Sequence, residues 1–220
     1  AVPYVALQLK AVAMSLDVLT GAMRGGLAGS WLSDSALWVA AVMALFAMLF
    51  GTRAIDAAEN HPGLVLAVAA ESLVKLLAFV AVGVFALLAL GDAAAVREGV
   101  RALPLAGGHF SGFVTQTLIA LTAIFCLPRQ FQVGVVECAD PADLRRARWM
   151  FPAYLLVFSA FVLPIAALGL RDGPASVSPD AFVLWLPLAA GHEWLALVAY
   201  IGGFSAAAGM VIVACVALAT

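Results

Sequence analysis

Apolar residues fall into six long runs separated by short polar links. The runs are continuous rather than alternating, which predicts helices and not barrel strands. They cover 1–19, 35–50, 61–92, 110–127, 149–170 and 193 to the end of the chain. A helix crosses a bilayer with about 20 such residues, so six crossings are expected. A further apolar piece, 182–190, is too short to cross. The links supply the breaks. Gly25, Gly26 and Gly29 make a flexible turn, Ser33 or Asp34 can cap the second helix, and Pro62 suits the first turn of the third. His61 beside it reads as a solvated loop residue. Asp140 followed by Pro141 predicts a helix that starts there and carries Arg145, Arg146 and Arg148. Arg97, Glu98 and Arg101 predict a short interfacial helix within 92–109.

Three places in this pattern carry chemistry. The third run holds Glu71 and Lys75, four residues apart and hence on one helix face. An isolated charge in the bilayer costs roughly 2.5–3.5 kcal/mol on insertion scales. The pair therefore locks neighbouring helices together, stands on an ion or substrate route, or snorkels to the headgroups from near a helix end. The fourth run ends in FCLPRQF (125–131), where Pro128 either closes the helix or kinks it and frees carbonyls toward a cavity. The last run contains GGFSAAAGM (202–210), whose small residues suit close helix contact.

Composition puts these helices in a membrane. The 220 residues are 65% hydrophobic and 11% charged, where a soluble domain has about 45–50% and 25%. The net charge of −2 provides no basic face for phosphates, so no nucleic-acid partner is expected. Cys126, Cys138 and Cys215 are scattered, with no zinc spacing and no disulfide framework. No Ser/His/Asp set, HExxH, phosphate-cradling loop or GxSxG is present, so no enzyme is expected in this stretch and no resident cofactor is implied. Lys10, Asp17, Glu71 and Lys75 are the few residues able to titrate inside the membrane, away from the run ends, an inventory that fits a solute or ion pathway. With six crossings, links 52–61 and 128–148 share one side of the membrane. The dense arginines at 145, 146 and 148 make that side the cytoplasm. The apolar start at Ala1 and the stop inside an apolar run at Thr220 read as one transmembrane domain, 1–220, truncated at both ends.

Several phrases together resemble the sodium:solute symporter family: PYVALQLKAV (3–12), FGTRAID…EN (50–60), AAESLVKLLAF (69–79), FCLPRQFQVGVVE (125–137), DPADLRRARWMFP (140–152) and GGFSAAAGM (202–210). The combination is most similar to the symporter-like membrane domain joined to bacterial sensor histidine kinases. The resemblance implies an all-α integral membrane protein of LeuT-type inverted-repeat fold, here core helices three to eight, in a bacterial inner membrane. It implies alternating-access transport of a small polar solute such as an amino acid or carboxylate. It alternatively implies a sensory input to a cytoplasmic kinase module in the same full-length chain. Carried over by position, Tyr4 matches an aromatic near the substrate, and Ala120, Ala123, Ile124 and Phe125 match a discontinuous substrate-contacting helix. Glu71 falls near an acidic position linked to sodium handling, with Lys75 as an unexpected neighbour. Ser205 matches a sodium-site hydroxyl, while Ala206 stands where a second hydroxyl is usual. Sodium, like other hard cations, favours oxygen ligands, so the departure weakens the case for sodium and leaves a proton acting through Glu71, or no coupling ion, as alternatives.

Overall fold

The computed structural model describes residues 2–20, 35–50, 62–102, 110–126, 138, 140–174 and 177–219. Every regular element among them is helical. In chain order these are α1 (Val2–Thr20), α2 (Ser35–Phe50), α3 (Pro62–Leu90), α4 (Ala93–Ala102), α5 (Phe110–Cys126), α6 (Pro141–Asp172), a 3-10 turn (Pro179–Ala181), α7 (Phe182–Ala189) and α8 (Glu193–Ala219). The predicted glycine turn, the cap at Ser33 or Asp34, the link containing His61, and Pro128 lie outside the described residues.

One boundary differs from the sequence reading. The helix expected to start at Pro141 and the run expected at 149–170 form a single 32-residue helix, α6. Its start is as predicted: the Asp140 carboxylate accepts from the Ala142 amide at 2.8 Å, and Pro141 occupies the first turn, where its missing N–H costs nothing. Pro152 and Pro164 lie inside the helix without ending it. Membrane helices tolerate such prolines because neighbouring elements re-satisfy the freed carbonyls.

Among the described residues, three helices are long and apolar enough to cross a membrane: Val65–Leu90, Ala142–Asp172 and Glu193–Ala214. Helices α2 and α5, at 16 and 17 residues, fall short of the usual length. Large side chains face outward along the long helices; Leu66, Leu77 and Leu88 of α3 are 71%, 68% and 76% exposed. Water would disfavour such a surface, and a hydrocarbon surround suits it. The chain is a membrane protein by this measure.

α3 is the central helix. Its inward stripe, Ala78, Val82, Ala86 and Leu90, repeats every fourth residue and is buried. On one side it meets α6, where Phe79 stacks on Phe158 with centroids 4.0 Å apart and Gly83 makes room for Phe161. On the other side it meets α8, where Gly202 faces Lys75 and Ala78, Gly209 faces Glu71, and Phe85 meets His192 edge-on at 5.4 Å. The order of these pairs sets direction: α6 runs parallel to α3 and α8 runs antiparallel. The short α7, too short to span as predicted, buries Phe182, Leu184, Leu186 and Pro187 in a cluster with Val82, Ala86, Leu90, Ile165 and Leu168. α1 packs on α8 through Val12 and Ala13 against Ala207 and Val211, while its Val18 reaches the α7 cluster. α1 therefore runs with α3 and α6.

A Cβ added at Gly83 would lie 2.6 Å from the Phe161 Cβ, so the α3–α6 seam depends on that glycine. Gly83→Leu is expected to cost on the order of 1–3 kcal/mol through overpacking, read as a lowered thermal midpoint in detergent. Gly63→Leu, where nothing lies within 4 Å, is the matched control and should leave the midpoint in place.

Candidate functional site

The site begins with the small residues of α8. Gly202, Ser205, Ala206 and Gly209 are spaced three, four and seven residues apart, so they share one helix face. That face meets the α3 face carrying Glu71, Lys75 and Ala78. At Gly202 a Cβ would come within 2.8 Å of the Ala78 Cβ and 3.5 Å of the Lys75 Cα, so the two backbones approach closely. At Gly209 the position of a Cβ is already filled by the Glu71 carboxylate: Oε2 touches it, and the Glu71 Cδ lies 2.8 Å away. Gly209 thus lets Glu71 tuck between two helices instead of extending into lipid, which matters because a bare charge in hydrocarbon is expensive.

Glu71 and Lys75 are both half-buried, and both make interactions. Beside them a cavity of about 300 Å³ opens between α3 and α8, lined by Val68, Glu71, Phe204, Ser205, Gly209 and Ile212 among others. Its polar side-chain oxygens come from Glu71 and Ser205, and the rest of its wall is apolar. On α6, Tyr154 stands within electrostatic reach of Glu71. Its hydroxyl is buried with no hydrogen-bond partner among the described residues, and its ring leans on Phe158 at 6.3 Å. The neighbouring Ser72 hydroxyl is occupied by its own helix, donating to the Val68 carbonyl at 2.8 Å.

Among the described side chains, this donor set is small for a hard cation. A hard cation collects about six oxygens; this cavity presents one carboxylate and one hydroxyl. Ala206, buried at 7% exposure, adds a methyl where the symporter resemblance implies a second hydroxyl. Among the described residues, no group of three His, Cys, Asp or Glu side chains is gathered for a metal ion.

The structure brings together Glu71, Lys75 and Ser205. Ala120 on α5 is exposed, as are the other described side chains of that helix from Val114 to Thr122. The side chains of Tyr4, Ala123, Ile124 and Phe125 lie outside the described residues, although their backbones are helical. One participant was missed by sequence reasoning, Tyr154, whereas Gly209 lies in the small-residue motif 202–210, seven residues after Gly202 on one face. Tyr154 carried no signal, because only the register of α6 on α3 places it near Glu71. Against known proteins, the chain matches no family model, no curated sequence and no solved structure.

The Glu71–Gly209 contact is open to a double-mutant cycle. Gly209→Ala should destabilise the wild-type chain and be markedly milder in a Glu71→Ala background, with a coupling of about 0.5–3 kcal/mol. Equal effects of Gly209→Ala in both backgrounds would mean that the carboxylate does not use the space above the glycine.

Proposed function

We propose that the chain is part of a secondary transporter, sodium:solute symporter-like and of LeuT-type inverted-repeat architecture, that moves a small polar solute such as an amino acid or carboxylate by alternating access. Glu71 is its ion-coupling carboxylate, Lys75 the neighbour that tunes it, and a proton the ion that its donor set suits. The observation that carries this reading is that Glu71 and Ser205, on stretches more than 130 residues apart, line one cavity between α3 and α8. Intramembrane titratable groups that face a cavity are the usual markers of ion pathways. Protonation of Glu71 removes a charge from the seam where α8 packs tightest, so the free energy of moving α8 against α3 changes with the proton. Coupling needs that dependence.

Helix direction supports six crossings. If α3 and α6 both span the bilayer in parallel, residues 91–140 must return across it. The longest described helix there is α5, about 26 Å at 1.5 Å per residue against a hydrocarbon core of about 30 Å. The same reasoning applies between α1 and α3, where α2 is about 24 Å long.

Two measurements test the reading. In liposomes holding the full-length protein, Glu71→Gln should abolish solute-driven pH change while insertion stays normal; undiminished coupled flux would refute the role of Glu71. Single cysteines at Ala57 and Gln132 should be labelled from one side of the membrane and those at Gly107 and Ser176 from the other. Labelling of all four from one side would remove the crossings of α2 and α5.

A further inference from the structure

α6 is longer than a bilayer requires, and its excess is charged. Its 32 residues make about 48 Å of helix, against a hydrocarbon core of about 30 Å. Between Arg148 and Arg171 lie 22 uncharged residues, about 33 Å, which sets those two arginines at the two headgroup levels. At the far level, Arg171 and Asp172 form a two-pronged pair, with Nε to Oδ1 at 2.7 Å and Nη2 to Oδ2 at 2.9 Å. The near level carries Arg145, Arg146 and Arg148 with Trp149, all exposed, Trp149 at 72%.

These residues are sorted around the helix. At about 100° per residue, Phe158 and Phe161, which meet Phe79 and Gly83 of α3, mark the inward face. Arg145 and Trp149 fall on the opposite face, with Arg146 and Arg148 about a quarter turn to either side. Asp143 falls on the inward half and approaches Arg146 at 3.9 Å, while Asp140 is engaged in capping the helix. The acids thus serve the helix start, and the arginines form an outward arc. The Arg148 guanidinium lies 5.8 Å from the Trp149 ring centre, a cation–π arrangement that holds it beside an interfacial aromatic anchor.

We propose that this outward arc of α6 is a binding site for the headgroup of an anionic glycerophospholipid. Arg145 and Arg148, one turn apart, can each present a two-pronged donor to phosphate oxygens. Trp149 packs beside the glycerol and upper acyl region, where amphipathic rings settle. Charge complementarity selects this occupant: the arc is cationic, faces away from the rest of the described protein, and stands at phosphate depth. The arginine density places it on the cytoplasmic leaflet, whose anionic lipids attract juxtamembrane basic segments.

The test is native mass spectrometry of the full-length protein released from mixed phosphatidylglycerol and phosphatidylcholine nanodiscs. Wild type should retain phosphatidylglycerol preferentially. The Arg145→Gln, Arg146→Gln, Arg148→Gln triple variant should lose about a hundredfold of that preference, and each single variant about fivefold. An Arg→Lys triple, which preserves charge and membrane orientation, should fall between wild type and the Gln triple. Labelling at residue 132 checks that orientation is unchanged. Equal lipid preference in all three proteins would overturn the proposal. So would displacement of the lipid by inorganic phosphate alone, which would make the site a free-anion site, or by an acidic soluble protein, which would make it a protein interface.

Discussion

The seam between α3 and α8 is the constraint on which the structure depends. Membrane helices gain little from hiding apolar surface from one another, because lipid is as apolar as they are. They associate where backbones approach closely and polar groups find partners. Gly202 supplies the close approach and Gly209 supplies space for a carboxylate, so packing and charge placement are solved by one helix face. A Cβ at 209 would act on both at once: it would press the helices apart and drive Glu71 from the seam. The cavity bordered by Glu71 and Ser205 exists at this spacing, since the same small residues that let α8 approach leave the space beside Phe204 and Ile212 unfilled.

Packing is uneven along α3. Toward its C-terminal end, Val82, Ala86 and Leu90 are surrounded by Ile165, Leu168, Phe182, Leu186 and Ala199, with α7 wedged among the long helices. Gly169 reinforces that end by giving its Cβ space to the Phe182 ring. Glu71 lies 11 residues before Val82, about 16 Å along the helix, on the cavity-bearing side. A transporter needs a rigid part against which another part moves, and the proposed function uses both: the dense cluster as the fixed end and the glycine-rich seam as the part that responds to a charge.

The helix extents were legible because each follows from local rules. Continuous apolar runs end at polar links, Asp140 caps, and Pro141 starts. The join of α6 was not legible. Arginines at 145, 146 and 148 look like a loop boundary to a hydropathy pattern, yet a backbone that is already helical continues through them at no cost. The costly pair Glu71–Lys75 announced itself through its charge, and the small-residue stripe through its composition. Their meeting did not, because it depends on helix direction and register, which no local pattern encodes. Tyr154 illustrates the same limit, as its importance lies wholly in which turn of α3 it stands beside.

Register also fixes how deep Glu71 lies. Phe158 is ten residues, about 15 Å, beyond Arg148 along α6, and Phe79, stacked on it, is eight residues, about 12 Å, beyond Glu71 along the parallel α3. Glu71 therefore stands within about 10 Å of the level of Arg148, in the leaflet of the arginine-bearing side and not at the bilayer centre. The cost of a charge falls toward the interface, which eases the placement of a carboxylate at this depth. Lys75, one turn deeper, is the costlier member, and its Cα stands where Gly202 lets α8 approach α3. The pair is thus graded in depth, with the acid nearer the arginine-bearing side and the base deeper, an order that suits the role proposed for Glu71.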